Sequence, residues 1–454
     1  MLGRPGEGPF AGRILPTMLK NRWLKTALSC AFVSATFSSL IGCSRYAALP
    51  PQATSTDAER SRIRDSIENP TFQKLYSFGA GWDGANPSGT LIVDGGILYG
   101  TTQTGGAGYA GPGYGSGTVY TIATSGKERV IHRFKFGNVA GPTQAGLTRI
   151  GDTLYGTTQW GGTGGSGCPL GCGTVFAMNT SGKVRLLYSF KGPPDGMNPT
   201  ARLVAVSGRL YGTTLAGGPQ SDGTVFEIST SGVYRSLYQF TYGSGGNIPE
   251  GDLIYAGGKL YGVTYAGGSG DCQDVGNIGC GTVYSITPAG IKRVIYRFKG
   301  GTDGDSPSSG LTWWNGVLYG TTYFGGNQAT CSGGCGTVFS LDPTSNRERV
   351  LYRFNGGSDG LLPDAPLLVY RGALYGTTVL GGNGPCFPYS SCGTAFRVSG
   401  SGVESVLHSF QGADGYEPYG RLTAMNGVLY GTTIRGGTKC RPELGCGTVF
   451  ALTP

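Results

Sequence analysis

The feature that most constrains this chain is a sevenfold internal repeat. The dipeptide Tyr-Gly recurs with gaps of 56, 56, 50, 58, 56 and 55 residues. Each copy is followed by Gly-Gly and then by Gly-Thr-(Val/Ala)-(Phe/Tyr). The repeated tyrosines are Tyr99, Tyr155, Tyr211, Tyr261, Tyr319, Tyr375 and Tyr430. A near-constant period of this length indicates one supersecondary unit that stacks on its neighbours.

Each unit contains four strand-like segments separated by turn residues. In the fifth unit they are "GLTWW", "VLYGTTYF", "GTVFSLD" and "RERVLYRF". Asn-Gly, Gly-Gly and Ser-Gly supply the positive φ angles of tight hairpin turns. Seven such units predict an all-β fold, a seven-bladed β-propeller of four-stranded antiparallel blades. A β-solenoid is the alternative, but its coils are shorter and do not form successive hairpins.

The two ends of the repeat region complement each other. The seventh unit stops at "GTVFALTP", after its third strand, whereas an unassigned strand, "TFQKLYSF", precedes the first unit at residues 71–78. We predict that this N-terminal strand completes the last blade and covers its exposed edge. The propeller is therefore predicted to span residues 71–454.

The N-terminal segment has a different composition. From Met18, the predicted true start, a basic stretch leads into an apolar run that ends in Leu-Ile-Gly-Cys at Cys43. This pattern predicts a signal peptide over residues 1–42. Its end resembles the bacterial lipobox, which implies lipidation of Cys43 and a membrane anchor, followed by a tether over residues 43–70. Ser44 after the cysteine favours the outer membrane of the cell envelope. A plain signal peptide is the alternative.

Charge and composition exclude several classes of protein. The 86 glycines follow no Gly-X-Y period, so the chain is not collagen-like. The net charge is +9, and residues 1–42 hold five Lys/Arg and one Glu, which leaves +5 after signal removal. These charges form no basic run, so a nucleic-acid partner is not expected.

The repeat resembles that of the GloVer-type tandem-repeat proteins, which share "LYGTT…GG…GTVF…G…VL.F". The resemblance extends over residues 72–454 and every unit carries the motif. It implies an exported or surface protein held by one of several kinds of anchor. No agreed activity comes with the resemblance, so it assigns no catalytic residue.

Ten cysteines follow an all-or-none pattern within the repeats. Five units hold two each between Gly-Gly and Gly-Thr, and the first and third units hold none. In an exported protein this predicts five intra-unit disulfides. A metal site is the alternative, but no histidine lies among the cysteines, and neither a metal nor another cofactor is expected. The predicted pairs are Cys168 with Cys172, Cys272 with Cys280, Cys331 with Cys335, Cys386 with Cys392, and Cys440 with Cys446.

A second pattern, Asp-Gly-x-x-Pro, recurs between the fourth strand of one blade and the first strand of the next. In a propeller this connection and the cysteine loop open on the same face. The aspartates are turn residues or a carboxylate ring that binds cations or sugar hydroxyls, and we favour the turn role because the motif repeats with the blade. They are Asp83, Asp195, Asp303, Asp359 and Asp414.

A functional site is expected where the repeat symmetry breaks. On the same rim, Trp82 and Trp160 are candidate platforms for a sugar, and Asp271 and Asp274 add charge to a long loop. Trp313 and its neighbour Trp314 are predicted at the opposite face.

The sequence shows no marked catalytic motif. The two histidines, His132 and His408, take a position where other units place tyrosine, so we interpret them as packing residues. No G-x-S-x-G, P-loop or HExxH pattern is present.

Three functions remain open for the propeller. The favoured one is an envelope-tethered binding module for a glycan or a protein partner. The alternatives are an extracytoplasmic carbohydrate-active hydrolase or lyase, which would need a pair of carboxylates, and a purely structural envelope component. Fold alone does not choose among them.

Overall fold

The computed structural model describes residues 70–454 apart from 80, 107–114, 136–139, 143–144, 164–166, 271, 273–278, 387–390 and 441–444. The predicted signal peptide, Cys43, the tether up to residue 69, Asp271 and Asp274 lie outside the described residues. The chain from residue 70 onward is an all-β propeller of seven blades. Each blade has four antiparallel strands. The first strands lie around the axis, where Val204–Val206, for example, contacts the first strands of both neighbouring blades.

The strands of the first four blades are, in order, Ile92–Asp94, Ile97–Thr102, Thr118–Ala123 and Glu128–Arg133; Thr148–Ile150, Thr153–Trp160, Thr174–Asn179 and Val184–Ser189; Val204–Val206, Arg209–Thr214, Thr224–Ser229 and Tyr234–Gln239; Ile254–Ala256, Lys259–Thr264, Thr282–Ile286 and Lys292–Arg297. The strands of the last three are Thr312–Trp314, Val317–Thr322, Thr337–Asp342 and Arg347–Arg353; Leu368–Tyr370, Ala373–Leu380, Thr394–Ser399 and Glu404–Ser409; Thr423–Met425, Val428–Thr433, Thr448–Thr453 and Thr71–Ser77.

Short additional pairings flank three blades. Ala140–Pro142 joins the second blade, Leu361–Pro363 joins the sixth, and Gly196–Met197 pairs with Ala216–Gly217 beside the third. Among the described residues the helical structure is a 3₁₀ turn at Gly301–Asp303. No described helix has the length and apolar character needed to cross a bilayer.

The N-terminal strand supplies the outer strand of the seventh blade. Thr71 pairs with Thr453 and Ser77 pairs with Thr448 in an antiparallel register. At the inner edge, the Thr423 hydroxyl of blade seven donates to the Leu91 carbonyl of blade one at 2.6 Å. The first and seventh blades are therefore in direct contact.

The repeated Tyr-Gly dipeptide reflects close packing inside each blade. A Cβ on Gly320 would lie 2.7 Å from Cζ of Phe339 and 2.9 Å from Cδ2 of Leu311. The equivalent glycine of every other unit is crowded in the same way by the aromatic ring of the third strand. Glycine is needed because the ring occupies the volume that a side chain would take.

The repeated threonines form a second link between the same strands. The last threonine of "Tyr-Gly-x-Thr" and the threonine of "Gly-Thr-(Val/Ala)" are buried, and their hydroxyls lie 2.7–2.9 Å apart in all seven units. This bond joins the second and third strands just before the cysteine loop, so it fixes the base of that loop.

Aromatic contacts hold neighbouring blades together. The phenylalanine after each fourth strand is buried and meets the third-strand aromatic of the next blade edge to face, at centroid distances of 5.0–5.4 Å. The pairs Phe78–Tyr120 and Phe410–Phe450 continue this contact through the seventh blade to the first. Each such ring buries a large apolar area, so the contacts stabilise the whole assembly of blades.

The propeller has two distinct faces. The second-to-third-strand loops and the connections between blades lie on one face, which we call the loop face. The hairpin turns between first and second strands, and between third and fourth strands, lie on the other, which we call the turn face. The candidate site residues described next lie on or near the loop face.

Candidate functional site

The repeated aspartates are hydrogen-bonded within their own turns. Asp83 Oδ2 accepts from the Tyr76 hydroxyl at 2.9 Å and from the Gly79 amide at 2.8 Å. The same two bonds, from the fourth-strand tyrosine and from a turn amide, hold Asp195, Asp303 and Asp359. Each aspartate therefore fixes the start of its connection, which is the turn role weighed against a ligand site in the sequence analysis.

The two histidines occupy the tyrosine position of this arrangement. His408 Nε2 lies 2.9 Å from Asp414 Oδ2, so the imidazole takes the place of the tyrosine hydroxyl. Its ring also stacks on Phe72, with centroids 3.6 Å apart. His132 precedes a connection without the aspartate, and its Nδ1 lies 2.9 Å from the Gly182 carbonyl of the next blade. Burial lowers the pKa of His132.

In blade three a different aspartate joins the second-to-third-strand loop to the connection that follows the blade. Its short cysteine-free loop carries Asp222, whose carboxylate accepts from the Tyr242 amide at 2.7 Å and from the Asn247 side chain at 3.1 Å. Both donors belong to the next connection, which lacks the repeated aspartate. Asp222 thus links loop and connection where both the disulfide and the usual aspartate are missing.

The cysteines are joined in the five predicted pairs, with Cα–Cα distances of 5.2–5.7 Å. The bridges pack over the connection that leaves the same blade: a Cβ on Gly300 would lie 2.6 Å from Cys272 Sγ. Disulfides in this number are typical of a protein exported to an oxidising compartment.

One group of potential metal ligands occurs among the described residues. It consists of Cys272, Cys280 and Asp305, with ligand atoms within 4.8 Å of one another. The two sulfurs are bonded to each other, so they are not available as thiolate ligands.

Three glutamates lie between blades, next to the tyrosine–aspartate pairs. Glu348 Oε2 is 3.5 Å from the Tyr296 hydroxyl, which itself donates to Asp303 at 2.7 Å. Glu128 and Glu404 take the same position in their blades. Burial, together with the charge of the neighbouring aspartate, raises the pKa of all three to about 7.

The candidate tryptophans differ in exposure. The Trp82 side chain is 71% exposed on the loop face, and the Arg133 guanidinium lies 5.6 Å from its ring centroid. Trp160 is half-buried at the end of its strand. Trp313 stacks on Tyr261, and Trp314 packs near Tyr319. Of the two rim candidates, Trp82 offers the open aromatic surface.

A charged cluster that the sequence analysis did not identify surrounds the axis. We define the axial ring as the seven residues that precede the leucine before each first strand: Thr90, Gly146, Arg202, Asp252, Gly310, Pro366 and Arg421. Neighbouring members touch, since a Cβ on Gly310 would lie 2.7 Å from Asp252 Cβ. The Arg202 amide donates to Asp252 Oδ1 at 2.7 Å, and its Nε lies 3.7 Å from Oδ2.

Arg421 lies across the axis from this pair. It belongs to blade seven, whereas Arg202 and Asp252 belong to blades three and four. Burial and the positive charge of Arg202 lower the pKa of Arg421 to about 10, and Asp252 partly offsets this. The position of Arg421 in the axial ring places it around the same opening as Arg202 and Asp252.

Carboxylates line the adjoining part of the opening. Burial raises the pKa of Tyr265 to about 12, with contributions from the charges of Glu250, Asp305 and Asp364. Asp364 also accepts a hydrogen bond from Ser308 of the preceding connection. The opening therefore has an acidic side on blades four to six, facing arginines from blades three and seven.

A signal for this cluster is present in the sequence. Between the proline of each connection and the following leucine the repeats differ strongly, whereas the flanking positions are similar. A comparison of the repeated residues alone does not include this variable segment.

A family profile described as the Gloeobacter/Verrucomicrobia repeat matches residues 109–275 and, in a second copy, residues 270–454. No curated protein matches the chain.

Many solved structures resemble the fold at low sequence identity. An oligogalacturonate lyase in complex with manganese is 11% identical, with a TM-score of 0.49, over 86% of this chain and 94% of that chain. An oligogalacturonate lyase from Vibrio parahaemolyticus is 11% identical, with a TM-score of 0.47, over 85% and 97%. A gluconolactonase from Xanthomonas campestris is 13% identical, with a TM-score of 0.42, over 87% and 92%. These likenesses concern the fold alone.

Proposed function

The chain belongs to the Gloeobacter/Verrucomicrobia repeat family, and we propose that it is an exported binding module that holds a glycan at the axial opening of its loop face. One observation carries this proposal. The repeated polar residues are engaged in bonds that every blade needs, whereas the charges that break the symmetry converge at one place. A binding site is expected where the repeat symmetry breaks, and on the loop face the charges that break it lie around the axial opening.

The chemistry of the opening suits a hydroxyl-rich ligand. Arg202, Asp252 and Arg421 are half-buried, as are Glu250 and Tyr265. Fixed carboxylates and guanidinium groups hydrogen-bond to sugar hydroxyls strongly, because charge-assisted bonds exceed neutral ones. The exposed ring of Trp82 adds a stacking surface farther out on the same face.

The test is a binding measurement with the purified, disulfide-intact protein. A screen against envelope, plant and microbial glycans by thermal shift should give a hit, since a ligand at 100 times its dissociation constant stabilises the fold by about 2.7 kcal/mol. Calorimetry would then compare the double variant Glu250→Gln with Asp364→Asn against Asp152→Asn, a control on the turn face with 96% of its side chain exposed.

Loss of binding in the double variant alone supports the axial site. Binding that is unchanged in both variants, or a screen without any glycan hit, would contradict the proposed function and direct attention to a protein partner.

A carbohydrate-active enzyme is the second candidate, and the convergence of carboxylates favours it. Glu250, Asp305 and Asp364 act electrostatically on the single hydroxyl of Tyr265. Paired carboxylates are what glycoside hydrolysis requires. Product analysis of a bound glycan after prolonged incubation distinguishes the two functions, because a binding module returns the ligand intact.

The anchoring of the module is also a proposal. The lipobox-like sequence before Cys43 supports a lipoprotein tethered to the cell envelope, with the outer membrane favoured. Metabolic labelling with a fatty acid should tag the protein and fail for Cys43→Ala. Equal labelling of both forms would remove the lipid anchor from the proposal.

A further inference from the structure

The charged side chains are divided unequally between the two faces of the propeller. We define the turn half of a blade as its repeated tyrosine, the cross-strand partners of that tyrosine, and all residues from there to the two hairpin turns. In the first blade, Tyr99 pairs with Thr121, which pairs with Arg129. The seven turn halves together hold fourteen Lys and Arg against seven Asp and Glu, a net charge of +7. The rest of residues 70–454 holds twelve against fourteen, a net charge of −2.

The acidic side chains of the turn halves are already engaged or half-buried. Three form ion pairs with arginines of the same face, three lie half-buried between blades, and the Asp342 carboxylate accepts hydrogen bonds within its own turn. The ion pairs join Arg149 to Asp94 and Asp152, and Glu227 to Arg209 and Arg235. The half-buried acids are Glu128, Glu348 and Glu404. By contrast, nine of the fourteen basic side chains are exposed and form no ion pair with a described carboxylate.

Exposed arginines recur across successive blades of this face. In blades one to five, arginine occupies the same register position of the fourth strand, opposite the third-strand partner of the repeated tyrosine. All five are exposed: Arg129, Arg185, Arg235, Arg293 and Arg349. Because the charge is spread over several blades, it favours an extended anionic surface over a single small anion.

Apolar side chains project among these charges. Val233, Ile291 and Val403 end the hairpin turns before their fourth strands, where the first two blades carry Lys127 and Lys183, and they are 69%, 66% and 66% exposed. Val233 and Ile291 belong to neighbouring blades. Exposed apolar side chains beside Lys and Arg are typical of protein segments that lie on a lipid surface, where the charges contact headgroups and the apolar groups enter the acyl boundary.

We propose that the turn face docks on a membrane surface that carries anionic lipids, with its arginines and lysines on the lipid phosphates and Val233 and Ile291 inserted between the headgroups. The point of chain entry supports this occupant. Thr71 pairs with Thr453 at the turn face, so the 70 residues that precede Thr71 join the propeller on this side. A soluble acidic polymer would match the charges but would gain nothing from the apolar side chains. This docking goes beyond the proposed glycan binding, which concerns the loop face.

The experiment measures cosedimentation of the oxidised Cys43→Ala protein with phosphatidylcholine vesicles that contain or lack phosphatidylglycerol, at low and high ionic strength. The Cys43→Ala change removes any contribution from a lipid at that position. Two triple variants lose the same charge from exposed lysines on opposite faces. They are Lys127→Gln, Lys183→Gln and Lys259→Gln on the turn face, and Lys135→Gln, Lys191→Gln and Lys299→Gln in the connections on the loop face. A third variant combines Val233→Thr with Ile291→Thr.

We expect binding only to the vesicles with phosphatidylglycerol, and we expect it to weaken as salt screens the charges. The turn-face triple variant should bind at least tenfold more weakly, because each basic residue near an anionic lipid surface contributes to the affinity. The loop-face triple variant should bind like the parent protein. The Val233→Thr and Ile291→Thr variant should bind about tenfold more weakly, since less apolar area leaves water. Thermal unfolding of each variant checks that the fold is retained.

Three results would overturn the docking proposal. The first is absence of binding to the phosphatidylglycerol vesicles at low ionic strength. The second is equal weakening in the two lysine variants, which would assign the effect to net charge and not to one face. The third is binding of a soluble acidic polysaccharide together with an unchanged vesicle affinity of the Val233→Thr and Ile291→Thr variant, which would assign the turn face to a soluble polyanion. Each of these leaves the axial glycan site to its own test.

Discussion

Replacing the three interblade glutamates should change how stability depends on pH. Glu128, Glu348 and Glu404 are half-buried, and one carboxylate oxygen of each accepts no hydrogen bond from a described residue. Burial and a neighbouring aspartate raise the pKa of each from 4.5 to about 7. A protonated glutamate can donate to the tyrosine oxygen, whose hydroxyl donates to the aspartate, so the neutral form fits the site.

The sign of the effect follows from proton linkage. The folded protein holds protons on these groups that the unfolded chain releases, so their contribution to stability is fully present below about pH 4.5 and is lost as pH rises through about 7. A pKa raised from 4.5 to about 7 corresponds to about 3 kcal/mol per carboxyl at most. Partial exposure screens the charge, so we expect about 1–2 kcal/mol for each.

The assay is denaturant unfolding of the oxidised protein at pH 5 and pH 8. Substituting all three glutamates with glutamine should raise the free energy of unfolding at pH 8 by about 3–6 kcal/mol and change it little at pH 5. Glu227→Gln is the matched control, and we expect it to change the free energy of unfolding at pH 8 in the opposite direction. Burial opposes ionisation of Glu227, but Arg235 and Arg209 outweigh it and lower its pKa, so this variant should lose stability at pH 8. A triple variant that is equally or less stable at pH 8 would refute the reasoning.

Four further outcomes follow from the packing. Ile248→Asn should stabilise the fold by about 1 kcal/mol in thermal unfolding, because Ile248 has a φ of 58° and Asn198 takes the same position in another unit; destabilisation would contradict this. Tyr284→Phe should stabilise by about 1 kcal/mol, because the buried hydroxyl has no partner among the described residues and five units carry Phe here; an unchanged midpoint would refute it. Gly182→Ala should cost about 2 kcal/mol more than Gly208→Ala, since both have positive φ but only the first meets a carbonyl of the adjacent blade; equal costs would remove the steric argument. Intact-mass analysis after reduction should show the hydrogen gain of five disulfides, and a smaller gain would contradict the pairing.

Much of the fold could be predicted from the sequence because each repeated residue makes the same contacts in its own unit. The Gly of Tyr-Gly accommodates a ring, as Gly320 accommodates Phe339, and the threonines bond within the same blade. Such constraints recur with the period, so comparing units identifies them. The interpretation of His408 as a packing residue came from the same comparison of units. Its hydrogen bond to Asp414 could not be read from the repeat pattern and is seen only in the structure.

The candidate site was harder to predict because it depends on contacts between distant blades. Arg202 and Arg421 are far apart in the chain and come to lie in one ring through the arrangement of the blades around the axis, which no local pattern encodes. Trp82 and Trp160 looked alike in sequence, and one is exposed while the other is half-buried. Exposure depends on how each loop lies on its neighbour, so residue type alone did not rank them.

The pairing of the N-terminal strand also determines how the module would be presented to its surroundings. Thr71 enters beside Thr453, at the end of the seventh blade that lies on the turn face, and Ser77 leaves on the loop face beside Thr448. A chain segment attached before Thr71 therefore joins the propeller on the side away from the axial arginines. If that segment is fixed to a membrane or to a sensor chip, the opening stays accessible to ligands in free solution, and large polymers can approach it without crossing the attachment point.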